Sequence, residues 1–405
     1  MPRARRRSVL VLGSTGSIGR SALDVLRAHR GLFSVAGLAA NRRVDDFVDQ
    51  VREFRPPAAA LLDRAAARAA RRRLGKGVRT DVREGPEGVL SLLSDPGADA
   101  ALVGISGAAG LASTAEAVRR GMRVALANKE SLVVAGPALL REARRTGAEI
   151  LPVDSEHCAV AQALRAGKTA EVRRVLLTAS GGALRDWPLA RLRHARAEDA
   201  LAHPTWRMGR RITVDSATLV NKALEVVEAV HLFGLPPERI EVVLHRQSVV
   251  HSLVEFRDGS VVAQLGRPDM RVPILWALAH PARPDCPDQR LEIGDLARLD
   301  FAEPDPERYP GLALGYRAAR EGGLAGAVLN AADERAVELF LEGSVRFTGI
   351  VPLVAAAMDA VGPLPTPRGG LEAFLAAASR ADAAARAAVD ARARLPRRAS
   401  GRLAS

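Results

Sequence analysis

Cysteine is nearly absent from these 405 residues: Cys158 and Cys286 are the whole complement. That excludes a disulfide framework and fits a reducing compartment, so a cytoplasmic location is expected. Cys158 reads as a small buried thiol. Lysine is almost as scarce, with only Lys76, Lys129, Lys168 and Lys222 among 59 basic side chains. The net charge of +13 is therefore an arginine bias of overall composition rather than a designed basic stripe. Aromatics make up 3%, too few for the stacking platforms of single-strand binders, and no nucleic-acid partner is expected. Apolar runs are too short to span a bilayer, so no membrane partner is expected. Arg3, Arg5, Arg6 and Arg7 precede an apolar run at 8–12, but Gly13 ends it before a signal-peptide core can form. The segment reads as a basic lead-in to a first β-strand.

What is present is ample apolar content, 48%, in a chain long enough for two or three domains. Up to about residue 150, short apolar runs (8–12, 34–39, 58–62, 100–103, 123–127, 149–153) alternate with helical patterns (18–28, 44–54, 64–74, 111–120, 138–146). This rhythm predicts an α/β fold that opens with a doubly wound, Rossmann-like parallel sheet. The rhythm then changes. A strand over 172–178, a helix over 216–233, a strand over 240–244 and an Asp258-Gly259 hairpin predict a central α+β region over 151–280. The proline- and charge-rich stretch 281–310 reads as a linker. Helical patterns at 312–321, 326–342, 350–361 and 371–394 predict a C-terminal helical domain over 311–395, with a frayed end beyond Pro396.

Gly13-Ser14-Thr15-Gly16-Ser17-Ile18-Gly19 follows the first strand and opens a helix. Glycines there permit a tight turn and close approach of a pyrophosphate, whose charge rests on helix N-terminal amides. After the second strand, where an NAD binder places an acid for the ribose hydroxyls, stand Asn41, Arg42 and Arg43. They attract a 2′-phosphate, so NADPH is expected over NADH.

The second signal is acidic. Asp154 and Glu156 lie two apart, so in an extended segment both point to one face. Glu225, on a helix, completes an oxygen-rich set suited to Mg²⁺ or Mn²⁺. On that helix Asn221 and Lys222 share a face with Glu225 through i, i+4 and i, i+3 spacing; Glu228 is the rival ligand. Lys129 follows the carboxyl end of a parallel strand, where ligands collect. Ser216 reads as an N-cap, a phosphate contact, or both. Ser180-Gly181-Gly182 looks like a second phosphate-cradling turn. The run from His203 to Gly209, with Trp206 and Met208 between proline and glycine, reads as a mobile lid. His245 and His251 read as structural donors rather than metal ligands.

The motifs together resemble the 1-deoxy-D-xylulose 5-phosphate reductoisomerase family. The matching segments are GSTGSIG at 13–19, ANKESLV at 127–133, LPVDSEH at 151–157, TASGG at 178–182, HPTWRMG at 203–209, DSATLVNKALE at 215–225 and PDMRVPI at 268–274. The resemblance implies an NADPH-binding domain over 1–150, a metal- and substrate-binding catalytic domain over 151–280 and a helical domain in a homodimer. It implies isomerisation of 1-deoxy-D-xylulose 5-phosphate and NADPH-dependent reduction to 2-C-methyl-D-erythritol 4-phosphate, in the non-mevalonate route to isoprenoid precursors. Asp154, Glu156 and Glu225 would hold the metal, with Lys129 and Glu156 as catalytic groups and Ser155 beside the substrate. Ser180, Ser216, Asn221 and Lys222 would hold the phosphate, with His203 near. Thr15, Gly16, Ser17, Ile18, Asn128, Glu130 and Gly209, with positions 41–43, would contact NADPH. Departures from the family pattern are Asn41, Ala183, Ala223, Arg246 and Asp333; the last stands where asparagine is usual. Two other readings carry less of the sequence: a different NADPH-dependent dehydrogenase, which gives no reason for three metal-directed carboxylates, and a dinucleotide-sensing protein without turnover.

Overall fold

A computed structural model describes residues 6–394. The basic lead-in at Arg3 and Arg5 and the frayed end beyond Pro396 lie outside the described residues. The chain opens with β1 (Arg7–Leu12), α1 (Ser17–Ala28), β2 (Phe33–Ala40), α2 (Val44–Phe54), β3 (Ala58–Leu61), α3 (Arg64–Leu74) and β4 (Asp81–Glu84). It continues through α4 (Gly85–Ser91), β5 (Ala100–Val103), α5 (Gly110–Arg119), β6 (Arg123–Leu126), α6 (Lys129–Thr146), β7 (Glu149–Pro152) and α7 (Ser155–Ala163). The seven strands form one parallel sheet in the order β4-β3-β2-β1-β5-β6-β7. Strand order reverses between β1 and β5, and a doubly wound sheet binds ligands outside the carboxyl ends at such a point.

Two local differences from expectation have clear causes. β4 carries Val82 as its only apolar residue, so it gives no periodic signal; an edge strand needs only backbone to pair with β3. Helix α6 begins at Lys129, nine residues before the expected 138, and passes through Pro137 with non-helical angles at Ala135 (φ −135°, ψ 19°). Pro137 lacks an N–H and crowds the carbonyl four residues back, which breaks the ladder there. Burial of Leu132, Val133, Ala138 and Leu139 on both sides keeps the segment helical regardless.

A second sheet follows, made of β8 (Val172–Ala179) and, after α8 (Leu189–Leu192), α9 (Ala197–Leu201), α10 (Arg210–Thr218) and α11 (Val220–Phe233), of β9 (Ile240–Leu244), β10 (Val250–Phe256) and β11 (Val261–Leu265). Its order is β11-β10-β8-β9, with β8 and β9 parallel and the rest antiparallel. The expected single helix over 216–233 is two helices, because Leu219 adopts a left-handed φ of 54°. Val160 and Ala163 of α7, with Val226 and Ala229 of α11, pack on Val175, Val254 and Phe256 of this sheet. Helix α12 (Arg271–Ala279) packs instead on the first sheet, burying Ile274, Leu275, Trp276 and Leu278 with Val11 and Phe33.

Residues 281–310 contain two short 3₁₀ turns and an antiparallel bridge from Ala302 to Leu244. Helices α13 (Gly311–Glu321), α14 (Ala325–Leu341), α15 (Ile350–Val361) and α16 (Leu371–Arg394) complete the fold. They share a core with α6 and α11, built from residues such as Val133, Leu224, Leu329, Val354 and Phe374. The expected α/β class, with a Rossmann-like sheet first, a mixed α+β middle and helices last, is what the chain adopts. No helix among the described residues is long and apolar enough to cross a membrane.

Candidate functional site

At the switch point, Gly13 turns the chain with φ 93°, and a Cβ there would lie 2.6 Å from the Gly104 carbonyl oxygen after β5. Only glycine lets the β1–α1 turn sit this close to the neighbouring strand's exit. Gly16 is the N-cap of α1. Thr15 is buried, and its carbonyl accepts from Arg43 Nη1 at 3.0 Å and from Arg20 Nε at 3.1 Å. Arg43 thus lies across the loop, while Asn41 and Arg42 are exposed at the tip of β2. Asn128 caps α6: its Oδ1 accepts from Ser131 N, and its Nδ2 donates to Gly107 O (2.8 Å) and to Glu130 Oε2 (2.7 Å).

The acidic cluster forms where β7 ends and α7 begins. Asp154 is the N-cap and Glu156 lies in the first turn, so the pair converges through cap geometry and not through an extended segment. That corrects the expected i, i+2 strand geometry: the free amides of a helix start hold the cap, since Asp154 Oδ1 accepts from Glu156 N at 3.3 Å. Glu225 arrives from α11. Its Oε1 accepts from Asn221 Nδ2 at 2.6 Å and from Lys129 Nζ at 2.8 Å, and its Oε2 lies 2.5 Å from Lys222 Nζ. Lys129 also lies 2.5 Å from Asp154 Oδ2, and Lys222 lies 2.8 Å from Glu156 Oε1. Two ammoniums therefore interleave three carboxylates. Ser155 Oγ donates to Glu156.

Burial and the Glu225 charge push the Glu156 carboxyl up to about 7. Burial also works against Asp154, but Lys129 and His157 outweigh it and hold that carboxyl well below the usual range. Burial opposes the Lys129 charge; Asp154 and Glu225 more than offset it, keeping the ammonium well above its ordinary range. Glu228 turns away to His157, with Oε2 3.4 Å from Nδ1. His157 was not singled out as a site residue, although it sits one turn from Asp154. Its Nε2 meets the Glu225 carbonyl at 3.0 Å, and its ring stacks on Phe233. Burial pulls its imidazole down, but Glu228, Asp154 and Glu225 raise it to about 9.

Around this cluster lie the other expected groups. His203 Nδ1 accepts from Thr205 N (3.1 Å) and Trp206 N (2.9 Å), so the proton sits on Nε2, which donates to Ser180 Oγ at 2.9 Å. Burial and Arg185 lower the His203 imidazole to about 4, so it is neutral. Ser216 is not an N-cap; it lies near the end of α10, and its Oγ donates to Ile212 O at 2.7 Å. Trp206, half-buried on a loop without regular structure, faces the His251 ring at 6.4 Å. His245 precedes β10 and clamps the loop: Nδ1 donates to Asp300 O, and Nε2 accepts from Val249 and Val250 N.

One cavity of about 600 Å³ joins these groups. Its walls include Ser17 and Ile18 of α1, Lys129 and Glu130 of α6, and all three acids with Ser155. Ser180, His203, Trp206, Met208, Gly209, Ser216, Asn221 and Lys222 line it as well. Thr15, Gly16, Asn41, Arg42, Arg43 and Asn128 lie outside that lining, on the β1–α1 turn, the tip of β2 and the start of α6.

Comparison with known proteins supplies an independent line. The family model described as 1-deoxy-D-xylulose 5-phosphate reductoisomerase matches residues 9–136, and its two C-terminal-domain models match 150–233 and 265–394. The enzyme of that name from Aromatoleum aromaticum is 49% identical over 401 residues, 98% of each chain. That from Anaeromyxobacter sp. (strain K) is 50% identical over 352 residues, covering 87% of this chain and 90% of the relative. A crystal structure of DOX-P reductoisomerase with NADPH, fosmidomycin and magnesium superposes with a TM-score of 0.89 at 38% identity, covering 96% of this chain and 100% of the other. The Zymomonas mobilis reductoisomerase with NADPH gives 0.88 at 39% identity, covering 97% and 100%.

Proposed function

The chain belongs to the 1-deoxy-D-xylulose 5-phosphate reductoisomerase family, and on that premise we propose that it isomerises 1-deoxy-D-xylulose 5-phosphate and reduces the product with NADPH to 2-C-methyl-D-erythritol 4-phosphate, for isoprenoid precursor synthesis. The observation that carries this reading is the single cavity joining the α1 start to three clustered carboxylates. The domain roles follow: nucleotide binding over 1–150, metal and substrate over 151–280, a linker over 281–310 and the helical domain over 311–395.

The donor set fits a hard divalent cation, because three carboxylates converge on one wall and already demand cationic partners. Asp154, His157 and Glu225 also approach one another closely enough to hold an ion. Both His157 ring nitrogens are already engaged, and His157 does not line the cavity. Asp154, Glu156 and Glu225 are therefore the proposed ligands, for Mg²⁺ or Mn²⁺. Such an ion, when bound, supplies Lewis-acid stabilisation to charge building on neighbouring substrate oxygens.

NADPH would lie over Thr15–Ile18 with Asn128, Glu130 and Gly209 near, its 2′-phosphate toward Asn41, Arg42 and Arg43, and would supply the hydride. Ser180, Ser216, Asn221 and Lys222 hold the substrate phosphate, and neutral His203 fixes the Ser180 hydroxyl through Nε2–H. Ser155 sets the Glu156 carboxylate, the second catalytic group. Lys129 offers its ammonium to developing negative charge.

Trp206 and Met208 close over the cavity and exclude water. Trp206→Ala is expected to lower kcat by ~10–100-fold through lost positioning, with stability changed by less than about 1 kcal/mol. Urea unfolding beside steady-state kinetics checks this, and equal damage to both removes the lid. The activity itself is read by NADPH oxidation with deoxyxylulose phosphate. Turnover is expected, with loss on chelation, block by fosmidomycin and a marked preference over NADH. NADPH binding without turnover would leave a sensor, and chelator-insensitive turnover would leave an ordinary dehydrogenase.

A homodimer is part of the reading. It is supported by β11 as an open sheet edge with Val261 exposed, and by exposed Ile293, Leu296 and Phe301. A cytoplasmic location is supported by the two free cysteines.

A further inference from the structure

Arg308 and Tyr309, near the end of the stretch 281–310, reach back to the loop that follows β8 from outside the cavity lining. Tyr309 is buried, and its ring packs with Ala179 at the end of β8 and with Leu219 at the break between α10 and α11. Ser180 adjoins the first of these, and Ser216 and Asn221 flank the second. The Tyr309 hydroxyl donates to Gly181 O at 3.0 Å. Arg185, also outside the lining, donates from Nη1 to Ser180 O at 2.8 Å. Arg308 donates to Leu184 O at 3.2 Å and to Trp187 O at 2.6 Å, fixing the loop on either side of Arg185. Gly181 and Gly182 have left-handed φ of 84° and 73°, and a Cβ at 182 would fall 2.5 Å from Ser216 O. The turn therefore rests directly on α10, which brings Ser180 and Ser216 into one cavity.

We propose that Tyr309 and Arg185 are positioning residues for the substrate phosphate: they hold the carbonyls of Gly181 and Ser180 off the cavity and leave the Ser180 hydroxyl to donate into it. The inference deepens the function proposed above and rests on its placing of the phosphate at Ser180 and Ser216. A glycine pair rotates its peptide planes at little steric cost. A plane turned over would aim a carbonyl oxygen, itself partly negative, at a dianion. A donor on each of two successive carbonyls opposes that rotation, because a buried carbonyl stripped of its partner is costly. Burial pushes the Tyr309 phenol up from its ordinary value, so the hydroxyl keeps its proton and donates. The Ser180 hydroxyl has two acceptor positions and one proton. His203 Nε2 donates to it at 2.9 Å and Gly182 N at 3.3 Å, so both acceptor positions are filled and its proton is free for a ligand. Arg185 also sets a fixed positive charge behind the turn, which favours an anion there.

The test uses the full-length protein. Tyr309→Phe removes one hydroxyl and keeps the buried ring, Arg185→Gln removes the charge, and Arg185→Lys restores it. In NADPH oxidation, Tyr309→Phe is expected to raise KM for deoxyxylulose phosphate ~5–10-fold, and Arg185→Gln ~10–100-fold. In both, kcat is expected to stay within about threefold and KM for NADPH to stay unchanged, the pattern of lost substrate binding. Arg185→Lys is expected to recover part of the loss. A second arm needs no turnover: calorimetry with inorganic phosphate is expected to show Kd rising by the same factors. Unchanged KM for the sugar phosphate and unchanged phosphate Kd in Tyr309→Phe and Arg185→Gln overturn the proposal. So does a loss that falls equally on NADPH, since that is general damage to the fold. Should the native protein bind phosphate, and the variants bind it more weakly, without turnover in any of them, the positioning stands and the proposed reaction is what fails. A native protein that neither binds phosphate nor turns over removes both.

Discussion

Glu225→Gln is expected to lower kcat/KM by on the order of 10³-fold while the chain still folds. The glutamine keeps the size of the side chain and can still accept from Asn221, so helix α11 loses nothing in shape. What goes is the charge that both buried ammoniums share, at 2.8 Å from Lys129 and 2.5 Å from Lys222. Lys129 and Lys222 are then left to Asp154 and Glu156, and the cavity loses one of the three acids that make it attractive to a divalent ion. A manganese titration read by calorimetry is expected to shift by tenfold or more, since even supporting residues of a metal site cost ~10–100-fold in affinity. Glu228→Gln is the matched control. Glu228 faces His157 rather than the cavity, so its loss is expected to be far smaller. Unchanged metal affinity and activity in Glu225→Gln would strike that residue from the ligand set.

Gly315→Val is expected to cost about 3 kcal/mol of stability, at the upper end of overpacking penalties, and to abolish most activity with it. Helix α13 approaches α11 so closely that a Cβ at 315 would fall 2.3 Å from the Ala223 carbonyl oxygen and 2.5 Å from its Cα. These are backbone atoms, so trimming Ala223 to glycine offers no relief. The two helices must separate, and Asn221, Lys222 and Glu225 move with α11. Denaturant melts of Gly315→Val and of the double variant with Ala223→Gly check the account. A rescue by the second change, or a loss under about 1 kcal/mol in the first, would show that the close backbone approach does not set the position of α11.

Much of the fold was legible because its signals are local. Short apolar runs with helical patterns between them marked six of the seven strands of the first sheet. The glycine turn between β1 and α1 was legible because Gly13 and its neighbours sit between a strand and a helix. β4 escaped because an edge strand pairs through its backbone and needs no apolar pattern. The early start of α6 escaped because Pro137 is a strong local stop signal, and only burial on both sides of the break overrides it. Helix α12 escaped as well: Ile274, Leu275, Trp276 and Leu278 bury against the first sheet, a partner more than a hundred residues distant in the chain.

At the site, the i, i+3 and i, i+4 spacing of Asn221, Lys222 and Glu225 was enough to predict the contacts that α11 makes. The geometry of Asp154 and Glu156 was not, because alternation along a strand and the start of a helix can place the same two acids on one side. Glu228 and His157 form a pair that no spacing announces, since 71 residues separate them and only packing of α7 on α11 brings them together.

The order of residues alone determined the class of the fold, the glycine turn from β1 into α1 and which acids flank β7 and α11, since each depends on neighbours within a few turns or one β–α junction. Tertiary structure decided which charges meet. Lys129 reaches Asp154 and Glu225, Lys222 reaches Glu156, and Arg211 reaches Asp215 and Asp333, because sheets and helices from distant stretches close a low-dielectric space around them. In that space a charge without a partner is too costly to keep, so the pairing is set by what the packed elements bring within reach.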